Sequence, residues 1–505
     1  MRLKSVKGYG NRRREKTIIA FRGINYGFGY TDGDLSDCEG VSSRLFPCLS
    51  PSGAESLVQG GSEITDIFAA YELFVVDGST LWYDGEAVGS VSPGQKQFAG
   101  MGTSVVIFPD KKRFDLTTKT LESLEAEVSS EGTTFTTSSI QFPEAAVLTA
   151  LKVGDAVTIS GCTDIEANNH PDAILIREIK AHELVFYDGA FTAGNEALRI
   201  SVRRSVPELS FLCEHDNRIW GVSGNIIYAS KLGDPTNFSV YDGLSTDSYT
   251  AAVGTTGDFT GCVSYGSNVL FFKEHCIHKL YGYKPSNYSM TTMHVPGVCA
   301  GSSRSIVVAN ETLFYHGTLG VYATTDGVPQ LISSAFDTVR FTDAVAGYDG
   351  ERYFINMARD GVCSTYTFDL ARGVWMRENT GRVCAMTVLR GELLVAYPDK
   401  IVRKSSILTE DTEWSATLCP FYEQIHDKKG YSNISIRASL SRGSHMSVDI
   451  SIDDGPFVHC ATRRAEQDQI LSIPIAPNRC DTFRVRLSGA GPCVVYSIER
   501  EFFVY

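Results

Sequence analysis

The sequence predicts an all-β protein: a β-propeller of about seven blades, with an inserted small β domain and a C-terminal β-sandwich. Three observations carry this expectation. Short apolar hairpins recur along the chain at a spacing that settles near 40 residues, as propeller blades do. Gly is abundant (46 residues) and aromatic side chains reach 11%, a mixture that favours strands divided by tight turns. The last part of the chain, from Thr417, alternates apolar and polar residues strictly, the pattern of half-buried strands.

With 505 residues the chain exceeds what one hydrophobic core holds, and several domains are expected. Residues 1–55 read as a basic arm followed by an extended strap with little regular structure, dense in Gly, Ser, Asp and Pro. Residues 56–125 hold the first blades. Tyr71–Gly89 runs apolar, turns at Asp77-Gly78, then alternates, and the segment 103–124 repeats that plan around Pro109-Asp110. Residues 126–205 contain LKVGDAVTISGC and HELVFYDGAF, turns feeding alternating strands, and form the inserted domain. An outward contact module is favoured there over a lid.

Residues 206–416 hold the remaining blades. Units start near Asn217, Ser267, Glu311, Glu351 and Gly391, at separations of 50, 44, 40 and 40 residues. Each unit ends near an aromatic (Trp82, Phe114, Tyr228, Tyr281, Tyr322, Trp375) expected to fill the space between adjacent sheets. Residues 417–505 complete the sandwich, with Asp454-Gly455 as a hairpin turn and an ordered final strand reaching Tyr505.

Composition sets several function classes aside. No run approaches 18 apolar residues, so no membrane span is expected. The N-terminus lacks the apolar core of a signal peptide. Thirteen cysteines are scattered from Cys38 to Cys493 without a CxxC pair, the usage of reduced thiols in a cytoplasmically folded protein. The net charge is −13, but residues 1–22 carry eight basic residues against Glu15 alone, which leaves −20 on the rest. An acidic body is a poor nucleic-acid binder, because phosphate contacts need Lys and Arg. The arm residues Arg2, Lys4, Lys7, Arg12, Arg13, Arg14 and Lys16 are the candidates for docking on an acidic neighbouring subunit or a connector ring.

Chemistry is harder to find. In His275-Cys276-x-His278 on a strand, only Cys276 and His278 share a face, which gives two ligands where zinc takes three or four. Acid pairs in loops (Asp32 with Asp34, Asp242 with Asp247, Asp453 with Asp454) are read as caps of backbone amides rather than as the carboxylates of a glycosidase. There is no phosphate-binding GxxxxGK[ST] loop, no GxSxG elbow and no HExxH helix. The expectation is therefore a protein that is not an enzyme and takes no cofactor or metal. Trp220 reads as an inter-blade core residue. Trp82 and Tyr249 are the candidates for stacking on a sugar ring.

The stretch Asn217–Gly282 (NRIWG…IYASKLGDPTNF…STDSY…LFFKEHCIHKLYG) resembles virion proteins of tailed bacteriophages, in particular propeller proteins of the packaged-DNA stabilisation or tail-nozzle kind. The opening FRGINY…GDLSDCEGVSSRLFPCLSP, the FPDKKRF segment and the closing APNRCDTFRVRLSGAG fit the same prophage group. The resemblance implies an assembly protein of the virion tail, made in the bacterial cytoplasm. It would be one copy in a homo-oligomeric ring that contacts other tail or connector proteins, helps retain packaged DNA and lines part of the ejection channel. The alternatives are a distal tail protein that binds host-surface carbohydrate, and a propeller glycosidase.

Overall fold

The structure is a computed structural model that describes residues 13–143, 148–465, 469–476 and 478–504. It is the expected all-β fold. Seven four-stranded antiparallel sheets follow one another as meanders, beginning at Ile64, Gln97, Ser210, Phe259, Val307, Thr342 and Ala385. These are the blades of a β-propeller. The second strand of each blade is the most deeply buried, as in Ser104–Phe108, Arg218–Ser223, Asn268–Lys273, Thr312–Gly317 and Arg352–Arg359. Sheets on either side cover both faces of such a strand, so it reads as an apolar run and not as an alternation. Among the described residues no helix is long and apolar enough to cross a membrane.

The chain divides into two compact units, residues 65–311 and residues 1–64 with 312–505. In the first, Arg304, which follows the fourth blade, ion-pairs with Asp66 in the first strand of the first blade. The same guanidinium donates to the Lys96 carbonyl at 3.0 Å, and the Lys96 ammonium pairs with Asp110 at 2.7 Å. Burial pushes the Asp66 carboxyl up, with Arg304 working against it.

Between the second and third blades, residues 126–204 form the inserted domain. One sheet orders Ala126–Ser130, Ile200–Arg204, Ala156–Ser160 and His170–Leu175; a five-stranded sheet lies beside it in sequence from Thr133 to Glu196. Phe135, Ile140, Val157, Leu184, Phe186 and Val202 are among its core.

The loop SKLGDPTNF fastens this domain to the third blade. Asn237 donates to Asp155 at 3.0 Å and to Asp234 at 2.6 Å, and accepts from the Ala156 amide at 3.1 Å. Asp155 also pairs with Arg204 at 2.7 Å, and Arg204 caps the Leu124 carbonyl at 3.0 Å. Asp155, Asn237 and Arg204 are 2%, 1% and 5% exposed, so every member needs its partners. Arg218 holds the same loop from below through the carbonyls of Ser230 (2.7 Å) and Ser245 (2.9 Å).

In the second unit the seventh blade takes its fourth strand from the start of the chain. Glu55–Gly60 pairs antiparallel with Lys400–Lys404, and Glu55 stands opposite Lys404. The Lys404 ammonium bonds Glu55 at 2.8 Å and Glu378 at 3.0 Å, while Arg352 bonds the other Glu378 oxygen at 3.2 Å. Burial works to lower the Lys404 pKa, but Glu378 and Glu55 outweigh it and hold the ammonium charged. For Glu55, burial raises the carboxyl and Lys404 more than reverses that.

The C-terminal sandwich corrects one expectation. The region read as an unstructured strap contributes strands to both of its sheets. Arg13–Ile18 lies at the edge of one, beside Cys493–Val504, Lys429–Leu440 and Gln469–Pro474. Gly23–Ile24 and Asp34–Glu39 enter the other, next to Glu413–Leu418. Arg13–Ile18 and Asp34–Glu39 find their partners hundreds of residues away, in Cys493–Val504 and Glu413–Leu418, so no local signal marks them as strands. Arg500, 1% exposed, is held by Glu423 (3.1 Å) and Asp32 (2.8 Å) with its guanidinium 4.1 Å from the Phe421 ring. The hairpin turn is also one residue earlier than expected. Asp453 and Asp454 both adopt positive φ (49° and 57°), and the Gly455 amide donates to Ile452 O at 2.9 Å. Tyr505 lies outside the described residues.

Two outcomes test this account. Lys404→Met leaves Glu55 without its cation and Glu378 with Arg352 alone, and should cost about 3 kcal/mol, read by denaturant unfolding. His316, 1% exposed, is held down to about 4 by burial, against a smaller opposite pull from Asp343. Its folded value lies below its unfolded one, so its contribution is full above the unfolded pKa and is lost as pH falls towards 4. Melting midpoints of wild type and His316→Gln should therefore diverge less at pH 4 than at pH 7.

Candidate functional site

The residues singled out from sequence scatter into structural roles. Arg13 pairs with Glu501 and, at 3.3 Å, with Glu15; Lys16 reaches Glu423 at 3.0 Å. These two cations make ion pairs within their own sandwich, where the arm is a strand from Arg13 on, and their side chains stay 57% and 40% exposed. Arg14 is exposed on that strand. Arg2, Lys4, Lys7 and Arg12 lie outside the described residues. Trp82 is half-buried in the first blade, opposite Val75 and Ala87.

Tyr249 does not present a free face. Its ring lies 4.9 Å from Tyr288 and 6.1 Å from Trp220, inside the aromatic packing between the third and fourth blades. Trp220 is 1% exposed and donates its indole N–H to His215 O at 3.2 Å, the core role expected of it. His278 is buried with both ring nitrogens engaged, by Thr255 and Thr292, each at 2.9 Å. No cluster of three or more metal-ligating side chains occurs among the described residues. The loop acids cap amides as anticipated: Asp247 accepts from Gly243 (2.6 Å) and Leu244 (3.0 Å), and Asp453 from Asp481 (2.7 Å) and Thr482 (2.9 Å).

What converges instead is a polar groove in the second unit, where strand Asp34–Glu39 runs beside the sixth blade's last strand, Val374–Thr380. Asp37 and Glu39 are two apart on one strand and project to the same side. One guanidinium serves both: Arg377 lies 3.1 Å from Asp37 and 3.5 Å from Glu39, and its buried Nε has no partner. Thr380 donates to the second Glu39 oxygen at 3.0 Å.

Two cavities open along this ridge. The first, about 330 Å³, is walled by Tyr26, Asp37, Phe341, Met357, Tyr366 and Arg377. Its two tyrosine hydroxyls meet at 3.4 Å, and their rings are braced by Phe336, at 5.8 Å from Tyr26 and 5.2 Å from Tyr366. The second, about 510 Å³, is walled by Glu39, Glu378, Asn379, Glu413, Trp414 and His445. Gly40, at φ +65°, is required in the wall of the second cavity: a Cβ there would stand 2.3 Å from the Glu413 carbonyl.

Electrostatics separate the two carboxylates. Burial pushes the Asp37 carboxyl above the usual range, and Glu39 adds to this, while Arg377 offsets only part. Burial also raises both tyrosines, so Tyr26 and Tyr366 stay neutral donors. The groove therefore offers aromatic walls, neutral hydroxyls, a guanidinium and two carboxylates, of which Asp37 and Glu39 remain 49% and 46% exposed. Such a set can grip vicinal hydroxyl groups. None of this was visible in sequence: Asp37 and Arg377 lie 340 residues apart, and the first sits in the segment read as a strap.

No protein-family model matches the chain. No curated protein matches it either. Among solved structures, similarity is found to the exo-β-1,3-galactanase of Phanerochaete chrysosporium at 7% identity, over 57% of this chain and 95% of that one, with a TM-score of 0.22. Hsv2 of Kluyvelomyces marxianus matches at 9% identity over 72% of this chain and 94% of that one, at 0.28. A glycoside hydrolase family 43 arabinoxylan arabinofuranohydrolase of Bacillus subtilis matches at 8% identity over 56% of this chain and 75% of that one, at 0.17. Glycoside hydrolases stand among these neighbours, against the expectation that the protein is not an enzyme. At such identities and TM-scores the likeness assigns the chain no activity, substrate or residue.

Proposed function

We propose that the protein is a virion component of a tailed bacteriophage, assembled in the host cytoplasm, that recognises host-surface carbohydrate through the Asp37–Arg377–Glu39 groove. The observation that carries the carbohydrate reading is the groove itself: tyrosine walls and a shared guanidinium–carboxylate cluster, half-open to solvent. Sugars are bound by such mixtures, because a pyranose offers an apolar face to aromatic rings and paired hydroxyls to charged side chains. The virion setting is supported by the resemblance of Asn217–Gly282 to phage tail proteins.

A second reading, a nozzle- or stopper-like ring subunit that helps retain packaged DNA, is favoured by the charge of −20 on residues 23–505. A lumen of that sign repels phosphate, and DNA slides past it without sticking. Both readings place the protein in the tail beside other tail or connector proteins.

Binding of purified protein to a bacterial-surface glycan array, followed by titration of the hits, tests the first reading. Arg377→Leu should weaken binding by tenfold or more, roughly the loss of one charge-assisted contact, and Tyr366→Ala should do the same. A panel of host glycans that gives no binding, or binding untouched by either change, rejects it. Immunogold labelling of particles tests the second: label confined to the portal-proximal end of the tail, in a closed ring, is the expected result, and label at the distal tip or none on the particle is the contrary one.

A further inference from the structure

The joint between the third and fourth blades holds two thiols in contact. Cys213 lies on Ser210–His215, the first strand of the third blade, and Cys262 on Phe259–Tyr265, the first strand of the fourth. Their sulfur atoms are 3.5 Å apart. A bulge sets this up. The register of the third blade skips between Ser210 and Cys213, where Phe211 takes a positive φ of 54°, and this re-aims the strand at its neighbour. The same two strands are joined two residues further on by His215 and Ser264, at 2.8 Å. The joint is therefore pinned beside the thiol pair.

We propose that Cys213 and Cys262 form an oxidation site, a dithiol that a low-molecular-weight disulfide of the glutathione class converts into an inter-blade disulfide. The bond needs the sulfurs to close by about 1.5 Å, a change of side-chain torsion. Cys213 is the half-buried member and Cys262 the buried one, so the external disulfide meets Cys213 first. The Cys213 thiolate attacks one sulfur of the oxidant and expels the first glutathione as thiolate. Cys262 gives up its proton, attacks the Cys213 sulfur of the mixed disulfide and expels the second. Two protein thiols are oxidised, one external disulfide is reduced to two thiols, and the two thiol protons end on the released glutathiones. The Cys262 thiol donates to the Phe211 carbonyl at 2.6 Å, a contact that holds it protonated until the mixed disulfide forms and its proton passes through solvent to the departing glutathione thiolate. Burial raises the Cys262 thiol well above its ordinary value, which makes the second step the slow one.

The consequence is a covalent staple between the first strands of adjacent blades, joining cysteines 49 residues apart in sequence, absent in a reducing cytoplasm and formed once the protein meets an oxidising medium. The chemistry does not depend on the proposed function, and either can fail alone.

The test is incubation of the full-length folded protein with oxidised glutathione, then intact mass and non-reducing peptide mapping. The expected result is a loss of two hydrogens, a peptide pair joining Cys213 to Cys262, and a melting midpoint raised by a few degrees and reversed by dithiothreitol. Cys262→Ser should instead accumulate a stable glutathione adduct at Cys213, and Cys213→Ser should show no Cys262 cross-link. Melting in reductant controls for folding of both variants. A mixed disulfide that persists on wild-type Cys213, a bond from either residue to another cysteine, or unchanged mass at full reagent excess overturns the proposal.

Discussion

The pairing of Glu55–Gly60 with Lys400–Lys404 is the constraint on which most of the second unit depends. A blade of three strands would leave a row of backbone donors and acceptors open to water or to another chain. Filling it from the start of the sequence closes a loop of more than 300 residues, and the closure entropy grows slowly enough with length for local contacts to offset it. Those contacts are concentrated at one end of the strand. Glu55, Lys404, Glu378 and Arg352 alternate in charge within hydrogen-bond reach, and Tyr397 adds a hydroxyl to Glu55 at 2.9 Å. Buried charges arranged this way contribute specificity of register as much as stability: a slip of one residue would strand an ammonium without a carboxylate.

Because residues 55–60 are committed to the last blade, the residues before them have little choice of location. They run back over the sixth blade and into the sandwich, where Asp34–Glu39 becomes a strand. The groove is a by-product of that route. Its carboxylates come from the N-terminal segment and its guanidinium and aromatic wall from the sixth blade, so ring closure and ligand geometry share the same elements. Burial pushes the Asp37 carboxyl up, and Arg377 offsets part of this.

The inserted domain shows a second use of buried polarity. The Gly-Asp-Pro-Thr-Asn loop contributes no apolar anchor large enough to fix a domain, yet Asn237 alone makes three hydrogen bonds to Asp155, Asp234 and the Ala156 amide. An amide side chain has a donor end and an acceptor end, and here both are satisfied at once, which fixes orientation in a way that apolar packing does not. The most recognisable stretch of the sequence is thus an architectural fastening. Its Asp234 and Thr236 are bonded to one another.

Much of the fold was legible in one dimension. Central blade strands such as NVLFFK are apolar throughout because sheets cover them on both sides, and Gly- and Asp-rich turns divide them at blade spacing. The sandwich was visible in alternation, since each of its strands shows one face to the core. Trp220, surrounded by Ile219 and Val222, could be placed in the core for the same local reason. Tertiary structure decided everything that rests on partners far apart in the chain. The strand Arg13–Ile18 exists only because Cys493–Val504 offers it an edge, and its basic residues find Glu501 and Glu423 there. Tyr249 is enclosed by Tyr288, 39 positions on, and Asp37 meets Arg377 across the whole propeller sequence. Propensity and periodicity act over a few residues, whereas burial, pKa and convergence of side chains are properties of the space that distant segments create together.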